Sequence, residues 1–220
     1  MSVIKSHDIT LYGHTGDYEI VLRPLIEEIA KIVREVITER SNNPANTGTP
    51  ALKSSDPRDV VIAVGPAFLS GITSTLAGLP HADVLAEICA GVEEENMLPR
   101  VVRVWKTSDV AFIGKEAANL SGSGVGVGIQ SKGTAVIHQK DLYPLSNLEL
   151  FPQAPLMTLA LYRNIGQNAA RYAKGEYVKP MRVLNDPMTR ASYQVKAALM
   201  HGKETEAVDQ NRSTEVIDNR

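Results

Sequence analysis

The sequence has a single cysteine, no long apolar run and almost no net charge, and each shortage excludes a class of protein. With Cys89 as the only cysteine, a disulfide framework is impossible, which agrees with a reducing, cytoplasmic environment. No apolar stretch approaches the roughly 20 residues of a membrane-spanning helix. Charged residues interrupt the first 20 positions, so we expect no signal peptide. The net charge of −2 gives no reason to expect nucleic acid or an acidic membrane surface as a partner.

The sequence also lacks the patterns of an autonomous enzyme. Its five histidines are scattered, without partners at the spacing of metal ligands, so we expect no metal site in this chain. There is no G-x-S-x-G nucleophile elbow. Cys89 lies in an apolar helical pattern without a visible base, which favours a buried small side chain over a catalytic thiol. The acidic run Glu93–Glu95 is interpreted as a solvated helix face, and we predict no catalytic residue.

Four glycines alternate with other residues in SGSGVGVGIQSK, which begins at Ser121 and ends at Lys132. The spacing does not match G-x-G-x-x-G, and the lysine precedes a glycine, the reverse of the Walker order. Alternation is typical of a strand, and glycines on one strand face mark a close approach by a backbone or a ligand. Two interpretations stay open: a bare face against a large flat ligand with Lys132 at its end, or glycines that only permit tight packing.

An amphipathic helix and a polar linker precede the main domain. Apolar side chains recur at helical spacing from Leu22 to Ile37, with charged residues on the other side. Residues 41–59, SNNPANTGTPALKSSDPRD, almost lack large apolar groups and are typical of a flexible linker. The helix of this extension, residues 1–40, either docks on the core or lies in a groove on another protein.

Residues 60–205 alternate between strand and helix patterns. This order predicts a layered, Rossmann-like α/β domain with a parallel or mixed sheet. Residues 206–220 are expected to form a polar, frayed tail. The predicted elements are strands at Val60–Phe68, Arg100–Trp105, Val125–Gln130 and Gly133–His138, and helices at Ala82–Glu95, Asp109–Leu120 (capped by Ser108), Pro155–Ala173 and Thr189–His201.

The stretch DLYPLSNLELFPQAP, residues 141–155, combines three prolines with several leucines and a phenylalanine. Its prolines exclude a long helix. An irregular loop of this composition suits an apolar ligand surface with a few polar contacts, or a lid that packs on its own core. Together with Lys132, the loop would suit a ligand that has a phosphate and a flat apolar group.

Seven motifs follow one another in the order of a known family. They are VVIAVGPAF, PHADVLAEICAGVEEE, TSDVAF, LSGSGVGVGIQSKGTAVIHQKDLYPLSNLELFPQAPLMTL, RNIGQNAARYAKGE, LNDPMTRASYQVKAAL and KET. Together they resemble the medium subunit of adenosylcobalamin-dependent diol and glycerol dehydratases. The resemblance implies radical conversion of a diol to an aldehyde and water. Catalysis, substrate and a potassium or other metal ion belong to the large subunit, and this chain holds the nucleotide-tail face of the cofactor.

The resemblance also implies cofactor-binding residues. Lys132 matches a lysine near the nucleotide phosphate, and Asp109 matches a residue near the corrin periphery. Ala197 stands where some relatives have a serine, so no hydroxyl contact is available there. The loop near the dimethylbenzimidazole base and further cofactor contacts are matched by Leu145, Ser146, Asn147, Pro152, Arg190 and Tyr193.

The partners implied by the resemblance are large and small dehydratase subunits, in a dimer of three-subunit units, and a reactivating factor. Diol dehydratase medium subunits inside bacterial microcompartments begin with a short amphipathic helix, and glycerol dehydratase counterparts tend to lack it. The Leu22–Ile37 helix therefore favours propane-1,2-diol as substrate and a shell or cargo partner, with glycerol as the second candidate substrate. The sequence leaves two rival classes of protein, the small subunit of a reactivating factor and a nucleotide-binding α/β protein. The failed phosphate fingerprints disfavour the nucleotide-binding protein.

Overall fold

The structure is a computed structural model that describes residues 27, 30, 31, 48–182 and 185–217. The chain divides into two units, Met1–Pro44 and Ala45–Arg220. In the first unit the described residues 27, 30 and 31 are helical. The remainder of the predicted Leu22–Ile37 helix and the first part of the predicted linker lie outside the described residues.

In the described part of the second unit, the chain forms a six-stranded mixed sheet and four α-helices. The strands are β1 Asp59–Val64, β2 Leu98–Arg103, β3 Val125–Ile129, β4 Ala135–Gln139, β5 Glu149–Phe151 and β6 Glu215–Val216. The helices are α1 His81–Glu94, α2 Val110–Leu120, α3 Leu159–Ala173 and α4 Pro187–Glu206. The strand order is β5-β4-β3-β1-β2-β6. Strand β1 is parallel to β2 and β3, and the other three strands join antiparallel. The predicted α/β fold with a mixed sheet is confirmed.

Helices cover both faces of the sheet, so β1 is buried along its whole length. Its continuous apolar sequence follows from this position, since a strand with two covered faces has no solvent-facing side. On one face, Ile88 of α1 and Ile165 of α3 pack in the larger core with Ile62. On the other face, Ile113 of α2 packs in a smaller cluster with Val61.

The alternating glycines of β3 pack against helix α2. A Cβ atom built on Gly126 would lie 2.6 Å from the backbone carbon of Ala117, and one on Gly128 would lie 2.4 Å from the backbone nitrogen of Gly114. Real Cβ atoms do not come this close to backbone, so larger side chains would push α2 away from the sheet. Tight packing, and not a flat ligand, is therefore the correct interpretation of this glycine face.

Several predicted boundaries differ from the structure. Strand β1 ends at Val64, not at the predicted Phe68, because a turn follows it in which the backbone nitrogen of Phe68 donates to the carbonyl oxygen of Gly65. Asp109, not Ser108, caps α2, because its carboxylate accepts hydrogen bonds from the backbone nitrogens of Ala111 and Phe112. Helix α3 begins after its cap residue Thr158, because residues 154–156 form a separate turn of 3₁₀ helix. Helix α4 extends from Pro187 to Glu206, beyond the predicted Thr189–His201.

The second half of the predicted linker and the predicted tail hold each other in place. The backbone nitrogen of Ala51 donates to the carbonyl of Thr214 at 2.8 Å, and that of Val216 donates to Thr49 at 2.9 Å. Strand β6 also pairs with β2. The interpretation of these segments as flexible and frayed is therefore wrong for residues 49–51 and 214–216. They are attached through backbone hydrogen bonds, which leave no apolar pattern in the sequence.

Candidate functional site

A cavity of about 980 Å³ lies at the edge of the sheet where the parallel strands have their carboxyl ends. Its walls come from the turn between β3 and β4, the segment after β5 and the first half of α4. Ligands of open α/β sheets commonly bind at this edge. The lining side chains that bear on function are Lys132, Thr134, Pro152, Gln153, Tyr193 and Gln194.

Among the described side chains that line this cavity, Lys132 is the cationic one. Its side chain is half-buried, and it forms no ion pair with any carboxylate of the described residues. Burial lowers the pKa of Lys132, whereas the negative charges of Glu204 and Asp109 act to raise it. A partly buried ammonium group without an ion-pair partner is the donor that a phosphate or another anion requires. The residues present therefore fit the phosphate of a cofactor.

Side chains from three helices fix the turn that carries Lys132. His81 Nε2 donates to the carbonyl oxygen of Ser131 at 2.7 Å, and Tyr162 Oη donates to that of Gly133 at 2.7 Å. The Glu204 carboxylate accepts from the backbone nitrogen of Ser131 at 2.9 Å. The lysine's own carbonyl accepts from the backbone nitrogen of Leu76 at 2.9 Å. The backbone of this turn is therefore held from several directions.

Three of the residues implied by the resemblance meet in the cavity, namely Lys132, Pro152 and Tyr193, and Ala197 lines it as well. Asp109 is exposed at the start of α2, where it caps the helix and interacts electrostatically with Lys132. Arg190 lies in α4, and the structure describes its backbone but not its side chain.

Leu145, Ser146 and Asn147 do not line the cavity. They lie in the turn between β4 and β5, where Leu145 is 75% exposed and the backbone nitrogen of Ser146 donates to Tyr143. The structure thus brings together the lysine and the helix residues but leaves this turn apart from them.

Sequence reasoning missed the polar residues of the cavity and the buried carboxylate beside it. Gln153 and Gln194 line the cavity, and Glu204 lies just behind the lysine turn. A helical pattern was available as a signal, because Tyr193, Ala197 and Glu204 recur at spacings of four and seven and so share one face of α4. Glu204 is nevertheless difficult to recognise as a buried residue, because it lies just before a segment with the composition of a polar tail.

The described residues contain no group of three His, Cys, Asp or Glu side chains that could hold a metal ion. The thiol of Cys89 is half-buried against the core, and burial, assisted by the charge of Glu93, raises its pKa to about 11. This thiol is protonated at neutral pH and is a poor nucleophile. In the same described part of the chain, no helix combines the length and apolarity needed to cross a membrane.

The acidic end of α1 forms ion pairs with α3. Arg163 bridges Glu87 and Glu94, and Glu95 pairs with Arg171 and Lys174. Glu94 and Glu95 of the acidic run therefore lie on a charged helix face that pairs with the neighbouring helix.

We expect His81 to make the stability of the domain depend on pH. Burial lowers its pKa to about 4. Its Nδ1 accepts a hydrogen bond from the backbone nitrogen of Leu69, which only the neutral ring can do, so the native state favours neutral His81. The unfolded chain, with an ordinary histidine pKa of about 6.5, takes up a proton that the native state excludes. We expect the free energy of unfolding to fall by about 1.6 kcal/mol as the pH drops from 6.5 to 5.

Urea unfolding of the wild type and of His81→Gln at both pH values measures this effect. The variant should lose much less stability on acidification than the wild type. Burial raises the pKa of Glu204 and gives a contribution of opposite sign, but it is present in both proteins and cancels in the comparison. Equal losses in the two proteins would contradict the assignment.

The fold and the cavity define a class: an α/β domain with a cavity at the carboxyl edge of its sheet, lined by a half-buried lysine. The family model described as dehydratase medium subunit matches residues 65–179, just over half of the chain. The chain therefore belongs to the medium-subunit family of the diol and glycerol dehydratases. The match ends before α4, which supplies one wall of the cavity.

Two solved structures are similar to part of the chain. One is a glycerol dehydratase reactivase, with 21% sequence identity and a TM-score of 0.45; the similarity covers 55% of this chain and 95% of the other. The second is a diol dehydratase-reactivating factor complexed with ADP and Mg²⁺, with 25% identity, a TM-score of 0.42 and coverage of 55% and 96%.

Proposed function

We propose that this chain is the medium subunit of a cobalamin-dependent dehydratase that converts propane-1,2-diol to an aldehyde and water. In this proposal the chain binds the nucleotide tail of adenosylcobalamin, and a large subunit carries the catalytic residues and any metal ion. The observation that carries the proposal is Lys132, a half-buried lysine without an ion-pair partner among the described residues, which lines a cavity of suitable size.

The cavity residues divide the work of binding. The ammonium group of Lys132 provides a charge-assisted contact for the phosphodiester. Pro152 and Tyr193 offer apolar surface to a flat group, and Gln194 offers an amide donor and acceptor. The amide of Gln153 bonds to the Asn185 side chain and the backbone nitrogen of Asp186, so it fixes the start of α4 beside the cavity. The bound cofactor supplies the radical chemistry, while the protein binds and orients it. This division agrees with a chain in which sequence reasoning predicts no catalytic residue.

Two further contacts are part of the proposal and lie outside the cavity. The exposed side chain of Leu145, with Ser146 and Asn147, would cover an edge of the corrin or the dimethylbenzimidazole base. Asp109 is exposed at the amino end of α2 and would face the corrin periphery. In the assembled enzyme, both groups would meet the cofactor only where it extends beyond the cavity.

Replacement of Lys132 by alanine tests the proposal. In the complex assembled with large and small subunits, we expect Kd for adenosylcobalamin to rise about 10- to 100-fold, since a hydrogen bond to a charged group contributes about 1.5–3 kcal/mol. The KM for the diol should stay close to the wild-type value, because substrate contacts belong to the large subunit.

Equilibrium dialysis of the cofactor and an aldehyde assay measure the two constants. Lys132→Arg should retain part of the affinity, and Lys106→Ala, at an exposed lysine elsewhere, should retain all of it. An unchanged Kd in Lys132→Ala would remove the assigned role. The aldehyde assay with propane-1,2-diol and with glycerol separately decides between a diol dehydratase and a glycerol dehydratase.

We also propose that the Leu22–Ile37 helix directs the enzyme into a bacterial microcompartment through a shell or cargo protein. The apolar stripe with charges on the opposite side supports a helix that binds in a groove. Deletion of residues 1–45 should leave the activity of the assembled enzyme intact and release it from purified shells. Retention of the truncated enzyme in those shells, measured by immunoblotting, would count against the proposal.

A further inference from the structure

We propose that Glu204 positions Lys132 for the anion, by fixing the backbone of Ser131 from helix α4. The inference rests on the proposed function of Lys132 and extends it to a residue that does not line the cavity. It makes Glu204 a positioning residue that acts through the lysine.

The Glu204 carboxylate joins two loops at the carboxyl edge of the sheet. It is 1% exposed. One oxygen, Oε2, accepts from the backbone nitrogen of Ser131 at 2.9 Å, and the other, Oε1, accepts from that of Ala67 at 3.4 Å. These loops follow β3 and β1. Two acceptor oxygens are needed at once, and an amide side chain offers only one.

The surrounding chain leaves space for this carboxylate. A Cβ atom on Gly65 would lie 1.8 Å from Oε1 of Glu204, so a larger residue at position 65 would displace it. No lysine or arginine of the described residues pairs with Glu204 at ion-pair distance. A buried carboxylate without a paired cation is costly. Two hydrogen bonds to backbone nitrogens alone offset little of this cost. A role in positioning the neighbouring Lys132 gives a stronger reason for a carboxylate at this position.

Glu204 connects two walls of the cavity, helix α4 and the turn between β3 and β4. Tyr193 and Ala197 line the cavity from the same helix face, and Glu204 follows about two turns later. The glutamate attaches this helix to the turn that bears Lys132. Its negative charge also favours the protonated form of the lysine and opposes the effect of burial on the lysine's pKa. The carboxylate thus holds the turn that bears the ammonium group and favours its charged form.

A double-mutant cycle on the assembled three-subunit enzyme tests this positioning role. We expect Glu204→Gln to raise Kd for adenosylcobalamin about three- to tenfold, within the range of coupling found for residues in contact. Because Glu204 acts through the lysine, Lys132→Ala combined with Glu204→Gln should bind no more weakly than Lys132→Ala alone. Multiplication of the two single losses in the double variant would overturn the proposal.

Glu149→Gln is the matched control, because it removes another buried carboxylate, which accepts from the side-chain amide of Asn168 and the backbone nitrogen of Met181. It should leave Kd unchanged; an increase equal to that of Glu204→Gln would indicate a general loss of stability and overturn the proposal. If Glu204→Gln does not fold, Glu204→Asp keeps the charge but withdraws the carboxylate by one methylene. Its Kd should then rise about threefold, with the same absence of additivity at Lys132.

A readout without cofactor separates this inference from the proposed function. NMR titration of the ¹³C-methylated lysines in the 220-residue chain follows the pKa of Lys132, whose signal is identified by its absence in Lys132→Ala. Glu204→Gln should lower this pKa, and Glu149→Gln should not. An unchanged pKa would overturn the positioning role. A lowered pKa together with an unaltered Kd in Lys132→Ala would leave the link between the residues intact and remove the proposed function.

Discussion

Replacement of Gly166 by alanine will destabilise the domain by about 3 kcal/mol, in spite of the higher helix propensity of alanine. Helices α1 and α3 approach each other at Gly91 and Gly166. A Cβ atom on Gly166 would lie 2.1 Å from the carbonyl oxygen of Ile88, and one on Gly91 would lie 2.1 Å from that of Arg163. The obstacle in both cases is backbone, which cannot rotate aside as a side chain can. The two helices must therefore separate and lose packing in the larger core.

Gly202→Ala is the matched control for this prediction. Gly202 lies inside helix α4, and nothing approaches within 4 Å of a Cβ atom built on it. Here only helix propensity acts, so alanine should stabilise the chain by up to about 1 kcal/mol. Urea unfolding followed by circular dichroism measures both variants. Equal stability of Gly166→Ala and the wild type would show that the helices tolerate a wider separation than the structure indicates.

Replacement of Asp59 by alanine should destabilise the domain by about 3–5 kcal/mol, because it breaks a largely buried ion pair and leaves one partner uncompensated. Asp59 is 6% exposed. Its carboxylate accepts from Arg100 Nε at 3.1 Å and Nη2 at 2.8 Å, and from the backbone nitrogen of Gly122 at 3.2 Å. The same guanidinium donates to the carbonyl oxygens of Leu52 and Leu120. The ion pair therefore joins β1 and β2 to the segments of Leu52 and of Leu120–Gly122.

Asp56→Ala provides the comparison, because Asp56 also pairs with an arginine, Arg58, at 3.0 Å, but on the exposed surface. Exposed pairs contribute little to stability, since water screens them. The unfolding midpoint of Asp56→Ala should match that of the wild type. A similar midpoint for Asp59→Ala and Asp56→Ala would refute the importance of burial at this pair.

The fold was predictable wherever apolar periodicity decides the structure. The buried strand β1 and helix α1 are recognisable from their side chains alone, because burial dictates their residue types. The alternating glycines of β3 are ambiguous in sequence, because a bound ligand and a closely packed helix both require a strand face without side chains. The predicted cap of α2 differs from Asp109 by one residue because Ser108 is also a good cap in sequence.

The candidate site was predictable only in part. The resemblance placed Lys132, Pro152 and Tyr193 near one ligand, and the structure places all three in one cavity. Neither composition nor spacing could have joined them, because they come from three distant segments. The helical spacing of Glu204 relative to Tyr193 and Ala197 indicates its helix face, but its partners are not recognisable from the sequence, because both hydrogen bonds go to backbone nitrogens.

The mutual attachment of residues 49–51 and 214–216 brings the beginning and the end of the α/β domain side by side. Because the two ends are adjacent, the same fold could form from a chain in which the elements follow one another from a different starting point. A short Gly/Ser connection could join these ends, and new ends could be opened at the exposed turn of Gly175, where nothing lies within 4 Å of a Cβ atom. The domain should therefore tolerate circular permutation at this position.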